Sequence, residues 1–297
     1  MPKIEYELKK FTEQTKETIH QAERIIEQYQ AQGFSLTLRQ LYYQFVARVL
    51  IENTDRAYKR LGNIVSDARR AGLIDWDSIE DRTRFVRGLP SWGKPQDILE
   101  SARDGYHRDL WESQDLRMEV WIEKDALVGV IEAVCKENDV DFFSCRGYVS
   151  DSEMWGAARR ILRYHRAGQR TIILHLGDHD PSGIDMTRDI RDRLNLFTFY
   201  KAGLEVRRIA LTMEQVEELN PPPNPAKISD SRFAQYMSEH GAESWELDAL
   251  EPAYIAALIS EHITDERDME RWTEAVNQQE QERGKIADVI KRWEDLF

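Results

Sequence analysis

Two stretches of the chain decide the predicted fold: RMEVWIEKDAL at 117–127 and TIILHLGDHDPSG at 171–183. Each begins with an apolar run, at 120–122 and 171–176, of the kind found in strands that are buried on both faces. Further strand-like runs at 140–146 and 205–211 alternate with segments of helical periodicity. This alternation predicts an α/β domain with a parallel, Rossmann-like sheet and crossover helices.

Acidic residues stand where two of these strands end. Glu123 closes the first strand, and Asp178 and Asp180 follow the second. The carboxyl ends of parallel strands share one edge of a sheet, where ligands bind in open α/β folds. Carboxylate oxygens suit Mg²⁺, with Mn²⁺ as a substitute. An isolated Asp-x-Asp is more often a turn and helix cap, so Glu123 is the residue that favours a metal site.

The N-terminal part of the chain is predicted to be helical. Residues 1–33 contain an amphipathic segment at 4–32 that ends at Gly33, and we expect it to form a single N-terminal helix. Residues 34–94 hold two further helical segments, at 38–50 and 57–71, and extended stretches at 72–79 and 81–88. Two short helices followed by a ribbon favour a winged helix-turn-helix domain that contacts DNA.

The charge distribution supports that interpretation although the net charge is -13. Residues 34–94 carry eleven Lys or Arg against seven Asp or Glu, whereas residues 211–297 carry eight against twenty. A basic segment in an acidic chain is typical of a phosphate-binding surface, although a merely solvated face is the alternative. The candidate DNA-binding residues are Arg39, Arg56, Lys59, Arg60, Arg69 and Arg70.

The rest of the chain, residues 95–297, is predicted to hold the α/β domain and an acidic helical C-terminal extension. A turn-rich connector at 88–95 precedes it, and its helices are expected near 230–240 and from 253 to the end. The N-terminus lacks a signal-peptide pattern, and no apolar run approaches the ~18 residues that a membrane span needs. We therefore expect a cytoplasmic protein, associated with the nucleoid in a bacterium or archaeon.

A pair of tyrosines, Tyr42 and Tyr43, lies in the first predicted helix of the basic segment. A phenol with an ordinary pKa near ~10 needs a nearby cation or base to act as a nucleophile. Arg39, four residues before Tyr43, lies on the same helical face, and Lys124 beside Glu123 is a second candidate. Aromatic packing of the helix into its own domain is the alternative explanation of the pair.

Several segments together resemble a known family. IEKDAL at 122–127 and GDHDPSGIDM at 177–186 resemble the Toprim domain of the topoisomerase VI A subunit and of the related meiotic double-strand-break transesterase. RGYVSD at 146–151, WELDAL at 245–250 and TLRQLYYQ at 37–44 resemble three further family segments, in the family's order. The resemblance covers about residues 35–255, and it implies a winged helix followed by a Toprim domain.

The resemblance also implies a chemistry. In this family a tyrosine attacks a DNA phosphodiester and leaves a 5′-phosphotyrosyl link, and the Toprim edge of the other protomer of a homodimer supplies Mg²⁺. By position, Tyr43 is the nucleophile, with Arg39, Glu123 and Lys124 as further catalytic candidates and Glu123, Asp178 and Asp180 as metal ligands. Strand passage in the family depends on a separate ATPase subunit, and this chain carries no ATPase signature.

Three hypotheses follow from the sequence. The first is a topoisomerase VI A-like protein that cleaves double-stranded DNA through Tyr43 and Mg²⁺, working with an ATPase partner. The second is a Toprim nuclease that hydrolyses DNA with a metal-bound water, in which the tyrosine pair is part of the core. The third is a non-catalytic DNA-binding module whose acidic C-terminal part recruits a partner.

Overall fold

The computed structural model describes residues 3–79 and 89–294. The chain opens with three helices, α1 (Glu13–Gln30), α2 (Leu38–Ala47) and α3 (Asp55–Arg70). A threonine begins each of them, because the hydroxyls of Thr12, Thr37 and Thr54 accept backbone N–H groups of the first helical turn. The apolar faces of the three helices pack into one cluster that includes Tyr42 and Tyr43.

Two of the N-terminal predictions need correction. The predicted helix at 4–32 begins only at Glu13, because the chain before it lies extended against the end of α3, with Glu5 bridging Ala71. Within the predicted extended stretch at 72–79 there is a 3-10 helix, Trp76–Ser78, and Ile79 bridges Leu36. The second stretch of the predicted ribbon, at 81–88, lies outside the described residues.

A helix α4 (Pro95–Gly105) precedes the central sheet. The sheet has four parallel strands in the order β2-β1-β3-β4. Their bounds are β1 (Leu116–Ile122), β2 (Asp141–Ser144), β3 (Arg170–Leu176) and β4 (Leu204–Ala210). This arrangement confirms the predicted α/β class with a parallel, Rossmann-like core.

Crossover helices cover both faces of the sheet: α5 (Val128–Glu137), α6 (Asp151–Arg166) and α7 (Pro181–Phe197). Alternate strand residues face opposite sides. Val120 and Leu174 pack with α5 on one face, whereas Trp121 and Ile173 pack with α6 and α7 on the other. The sheet is therefore buried on both faces, as the apolar runs of β1 and β3 predict.

The chain after β4 is mostly helical. Its elements are α8 (Met213–Leu219), β5 (Asn224–Pro225), α9 (Phe233–His240), β6 (Glu243–Ser244), α10 (Pro252–Glu266) and α11 (Met269–Glu294). The single helix predicted from 253 to the end is wrong, because Arg267 is extended and Asp268 accepts the N–H groups that begin α11. Gln114 holds this break through two hydrogen bonds to the Asp268 backbone.

The two C-terminal helices pack on different parts of the molecule. α10 lies against α5 on one face of the sheet, and α11 lies against α4. Within the described parts of the chain, none of the helices combines the length and apolar character needed to cross a membrane.

Candidate functional site

The candidate site lies at the carboxyl edge of the sheet, between β1 and β3. The chain leaves β1 toward β2 on one side and returns to β3 on the other, so this is the point where the strand order reverses. Glu123 follows β1, and its Oε2 accepts the backbone N–H of Asp178 at 2.9 Å. Asp178 follows β3, and its Oδ1 accepts the N–H of Leu247 at 2.8 Å. The structure thus brings together two of the three predicted metal ligands.

Two glycines permit this close approach. A Cβ atom on Gly177 would lie 2.9 Å from Glu123 Oε2, and one on Gly183 would lie 2.2 Å from the carbonyl oxygen of Asp178. Because a carbonyl oxygen of the backbone cannot swing aside as a side chain can, Gly183 is required for the turn that carries Asp178. The glycine spacing in GDHDPSG therefore has a steric cause.

Asp180 holds the turn as well as lying near the other carboxylates. Its Oδ1 accepts the N–H of Gly183 at 2.6 Å and the hydroxyl of Ser182 at 2.9 Å, so it caps α7. This is the cap role that an Asp-x-Asp commonly has. Its negative charge also contributes to raising the pKa of Glu123.

Burial governs the electrostatics of the paired carboxylates. Removal from water, followed by the charge of Asp178, raises the pKa of Glu123 to about 7. Burial likewise raises the pKa of Asp178 to about 6, although Lys124 opposes the increase. Two adjacent carboxylates that resist ionisation together would be stabilised by an added cation.

Lys124 connects the carboxyl edge to a distant part of the chain. Its Nζ lies 2.9 Å from Asp178 Oδ2 and 2.6 Å from Glu246 Oε2. Arg39 of α2 binds the same segment, with Nη2 2.5 Å from Glu246 and Nε 2.8 Å from Asp248. Both predicted catalytic cations are therefore paired with Glu246, and Asp178 adds a second partner for Lys124 while Asp248 adds one for Arg39. Glu246 and Asp248 belong to the family-like segment at 245–250 and were not among the predicted site residues.

Tyr43 lies at the end of this network. Its hydroxyl is 3.5 Å from Arg39 Nη2, and it also interacts with Glu246. Only 4% of the residue is exposed, and burial together with the charge of Glu246 raises its pKa. Tyr42 packs against the Tyr43 ring and donates to Asn53 and to the carbonyl of Thr54. In this conformation Tyr43 is close to the acidic edge of its own chain and shielded from solvent.

Arg208 of β4 was not among the predicted site residues. Its guanidinium donates to the carbonyl oxygens of Gly177, Asp178 and Gly183 and to the hydroxyl of Thr187. It therefore fixes the backbone that carries the Asp-x-Asp turn. The sequence feature that could have pointed to Arg208 is its place within the strand-like run at 205–211, because strands of a buried sheet are usually apolar.

The predicted DNA-binding residues fall into different environments. Arg56, Lys59 and Arg60 are exposed on α3. Arg69 instead stacks on Trp76 and donates to backbone carbonyls of Trp76 and Ile79, so it holds the N-terminal fold together. Arg70 is exposed, and its Nη1 lies 3.8 Å from Glu7 Oε1. Arg39 faces Glu246 and Asp248, as described above.

The donor types at the edge fit a hard divalent cation, since Glu123, Asp178 and Asp180 supply only oxygens. Their arrangement is not a finished metal centre: among residues 3–79 and 89–294, no group of three His, Cys, Asp or Glu side chains is placed to hold an ion. Asp178 is paired with Lys124 and Asp180 caps α7. Metal binding here therefore requires these side chains to exchange partners.

The chain was also compared with known proteins. No model of a protein family matches it, and the search of curated proteins likewise gave no match.

Proposed function

We propose that this protein is a topoisomerase VI A-like DNA-cleaving protein that transfers a DNA phosphoryl group at the edge between β1 and β3, with Mg²⁺ as cofactor. The observation that carries the proposal is the contact between Glu123 and the turn that holds Asp178. Asp178 is buried and Glu123 is partly buried, and both carboxylates have raised pKa values and stand at the topological switch point. Such a site favours a cation and the anionic phosphate that the cation binds.

Each residue of the edge has a role in this proposal. Glu123, Asp178 and Asp180 would hold Mg²⁺, and Mn²⁺ would be able to substitute for it. When bound, the ion supplies charge stabilisation for the transferring phosphoryl group and the leaving oxygen. Lys124 must release Asp178 for this, and its ammonium would then be free to hold a phosphate oxygen.

Tyr43 is the proposed nucleophile. Its oxygen forms a bond to phosphorus while the bond from phosphorus to the DNA 3′ oxygen breaks, leaving a 5′-phosphotyrosyl link and a 3′ hydroxyl. Because Tyr43 is buried against Glu246 and Arg39, α2 must separate from the 245–250 segment before DNA can reach it. Arg39, once released from Glu246 and Asp248, would hold the phosphate.

The remaining parts of the proposal concern DNA and partners. α2 and α3 would form a winged-helix domain, with Arg56, Lys59 and Arg60 facing double-stranded DNA. A homodimer would place Tyr43 of one protomer beside the carboxylates of its partner, and a separate ATPase subunit would couple cleavage to strand passage. The resemblance supports these points, and the exposure of the α3 cations is compatible with the DNA surface.

A hydrolytic Toprim nuclease is the second candidate, and one specific observation favours it. Tyr43 is only 4% exposed, and its pKa is raised, which makes it a poor nucleophile unless α2 moves. If Glu123, Asp178 and Asp180 held a divalent cation, it would activate water for hydrolysis, and this would need no such movement of α2. In that case Tyr43 would serve only the packing of the N-terminal cluster.

A cleavage assay separates these functions. The purified protein is incubated with supercoiled plasmid and Mg²⁺ or Mn²⁺, quenched with detergent, and analysed with and without protease digestion. Breaks carrying covalent protein support the transesterase, and protein-free breaks support the nuclease. Glu123→Gln and Asp178→Asn should abolish either kind of break. A wild-type protein that binds plasmid but cleaves none with either metal would contradict both proposals.

A further inference from the structure

The face of α6 that is turned to solvent carries an aromatic and basic stripe. Trp155, Arg159, Arg163 and Arg166 recur at spacings of four, four and three residues, so they lie along one side of the helix. All four are exposed, and Trp155 is 53% exposed. With a rise of 1.5 Å per residue, the stripe extends for about 16 Å.

The arginines of this stripe lack the ion-pair partners that neighbouring arginines have. In the described part of the chain, Arg159, Arg163 and Arg166 form no ion pair, and Arg159 instead stacks 4.8 Å above the ring of Trp155. The arginines of the adjacent helix α7 are all neutralised: Arg188, Arg191 and Arg193 pair with Asp185, Asp192, Asp189 and Asp151. The uncompensated charge on α6 is therefore a local feature of a chain whose net charge is -13.

We propose that the α6 stripe binds single-stranded nucleic acid, with its arginines on successive phosphates and a base stacked on Trp155. Charge complementarity selects a polyanion, because cations without acidic partners attract phosphates and release counterions on binding. The exposed indole selects unpaired bases, since a stacking surface of this kind contacts the faces of bases, which are covered in a duplex. The stripe is separate from the α3 cations assigned to duplex DNA.

The position of the stripe relative to the carboxylate edge suggests what the binding of a single strand would do. α6 begins at the carboxyl end of β2, so Trp155 lies toward the edge that carries Glu123, and Arg166 lies toward the opposite edge. A strand on the stripe would run along the α6 and α7 side of the sheet, away from α5 and α10. It would lead a single-stranded segment away from the carboxylates without using their side chains.

The test is equilibrium binding in EDTA, which keeps it independent of cleavage and of the proposed function. Fluorescence anisotropy is measured for the full chain with a labelled oligothymidine of about 20 nucleotides at several KCl concentrations. Arg159→Gln/Arg163→Gln should weaken binding about tenfold or more and lower the salt slope by about 1.4, or about 0.7 for each phosphate that is no longer neutralised. Trp155→Ala should weaken binding about fivefold or more.

A matched control removes the same charge from paired arginines. Arg188→Gln/Arg191→Gln on α7 should change binding less than twofold, and circular dichroism should show that all variants are folded. The proposal is overturned if the wild type does not bind, if both double variants weaken binding equally, or if Arg159→Gln/Arg163→Gln weakens binding to a duplex of the same length as much as binding to the oligothymidine. A parallel titration with labelled oligouridine shows whether the chain prefers DNA or RNA. Binding of either one supports the proposal if it depends on Trp155, Arg159 and Arg163.

Discussion

Lys124 donates to Glu246 across 2.6 Å, although 122 positions separate them in the chain. This contact joins the end of β1 to the segment at 245–250. Arg39 and Tyr43 of α2 contact the same segment through Glu246. The carboxylates of the sheet edge and the helix that carries Tyr43 are thereby parts of one charge network. Glu246, which neither the metal site nor the nucleophile assignment included, connects them.

The first prediction concerns acid stability. Burial alone would raise the pKa of Glu246, but Lys124 and Arg39 lower it to about 2. A carboxyl group whose folded pKa is depressed adds stability above its unfolded pKa of 4.5 and loses it as the pH falls toward 2. Glu246→Gln should therefore cost roughly 1 to 3 kcal/mol at pH 7 and progressively less below pH 4.5. Urea unfolding at pH 7 and pH 3.5 measures this, and an equal loss at both would contradict it.

The second prediction concerns Tyr43, the proposed nucleophile. Tyr43→Phe should abolish covalent protein–DNA adducts and cleavage while leaving DNA binding within about twofold, because the ring still packs and only the attacking oxygen is removed. The gel assay with and without protease measures this. Tyr42→Phe is the matched control and should retain cleavage, since its hydroxyl contacts Asn53 and Thr54 instead of the acidic edge. Cleavage that survives Tyr43→Phe would transfer the assignment to the hydrolytic nuclease.

The third prediction concerns the turn after β3. Gly183→Ala should destabilise the protein by about 2 kcal/mol or more, because the new Cβ would lie 2.2 Å from the carbonyl oxygen of Asp178. Gly284→Ala on α11 is the control: its Cβ would meet nothing within 4 Å, so alanine should stabilise the helix by roughly 0.5 to 1 kcal/mol. Thermal unfolding of both variants decides the question, and equal effects would refute the steric argument.

The fourth prediction concerns Arg208. Arg208→Lys should cost about 3 kcal/mol and abolish cleavage, since one ammonium cannot satisfy the carbonyls of Gly177, Asp178 and Gly183 together. Arg207→Lys is the neighbouring control on β4, and its pairs with Glu205 and Glu266 are partly exposed, so a decrease below about 1 kcal/mol is expected. Unfolding free energies measure the stability of the two variants, and the plasmid assay measures cleavage. A tolerated Arg208→Lys would show that the turn holds without the guanidinium.

The fifth prediction concerns duplex DNA. Replacing Arg56, Lys59 and Arg60 by Gln should lower the affinity for duplex DNA and reduce the salt slope by up to about 2.7, or about 0.9 for each phosphate that is no longer neutralised. Arg69→Gln should instead lower thermal stability, because Arg69 binds carbonyls of Trp76 and Ile79. Binding titrations at several salt concentrations, with melting curves, distinguish the two effects. An unchanged salt slope in the triple variant would remove α3 from the DNA surface.

Sequence patterns predicted the elements that depend on local chemistry. A parallel sheet with Glu123 and Asp178 at one edge was indicated by the apolar runs of β1 and β3 and by the acidic residues after them. This was possible because the burial of a strand and the place where it ends depend on residues that are neighbours in the sequence. Thr37 and Thr54, which cap α2 and α3, likewise lie next to the helices that they begin. The helix break at Asp268 was missed, since Gln114, more than a hundred positions away, holds it.

The sequence by itself determined the α/β class, the strand-helix order and the carboxylates that follow β1 and β3, because periodicity and end residues act over a few positions. Only the tertiary structure decided that Glu246 and Asp248 neutralise Arg39, 207 and 209 positions away, and that Arg208 holds the Asp178 turn. It also decided that Tyr43 is buried. Such contacts arise when distant segments share the low-dielectric edge of one sheet, where each buried charge must find a partner.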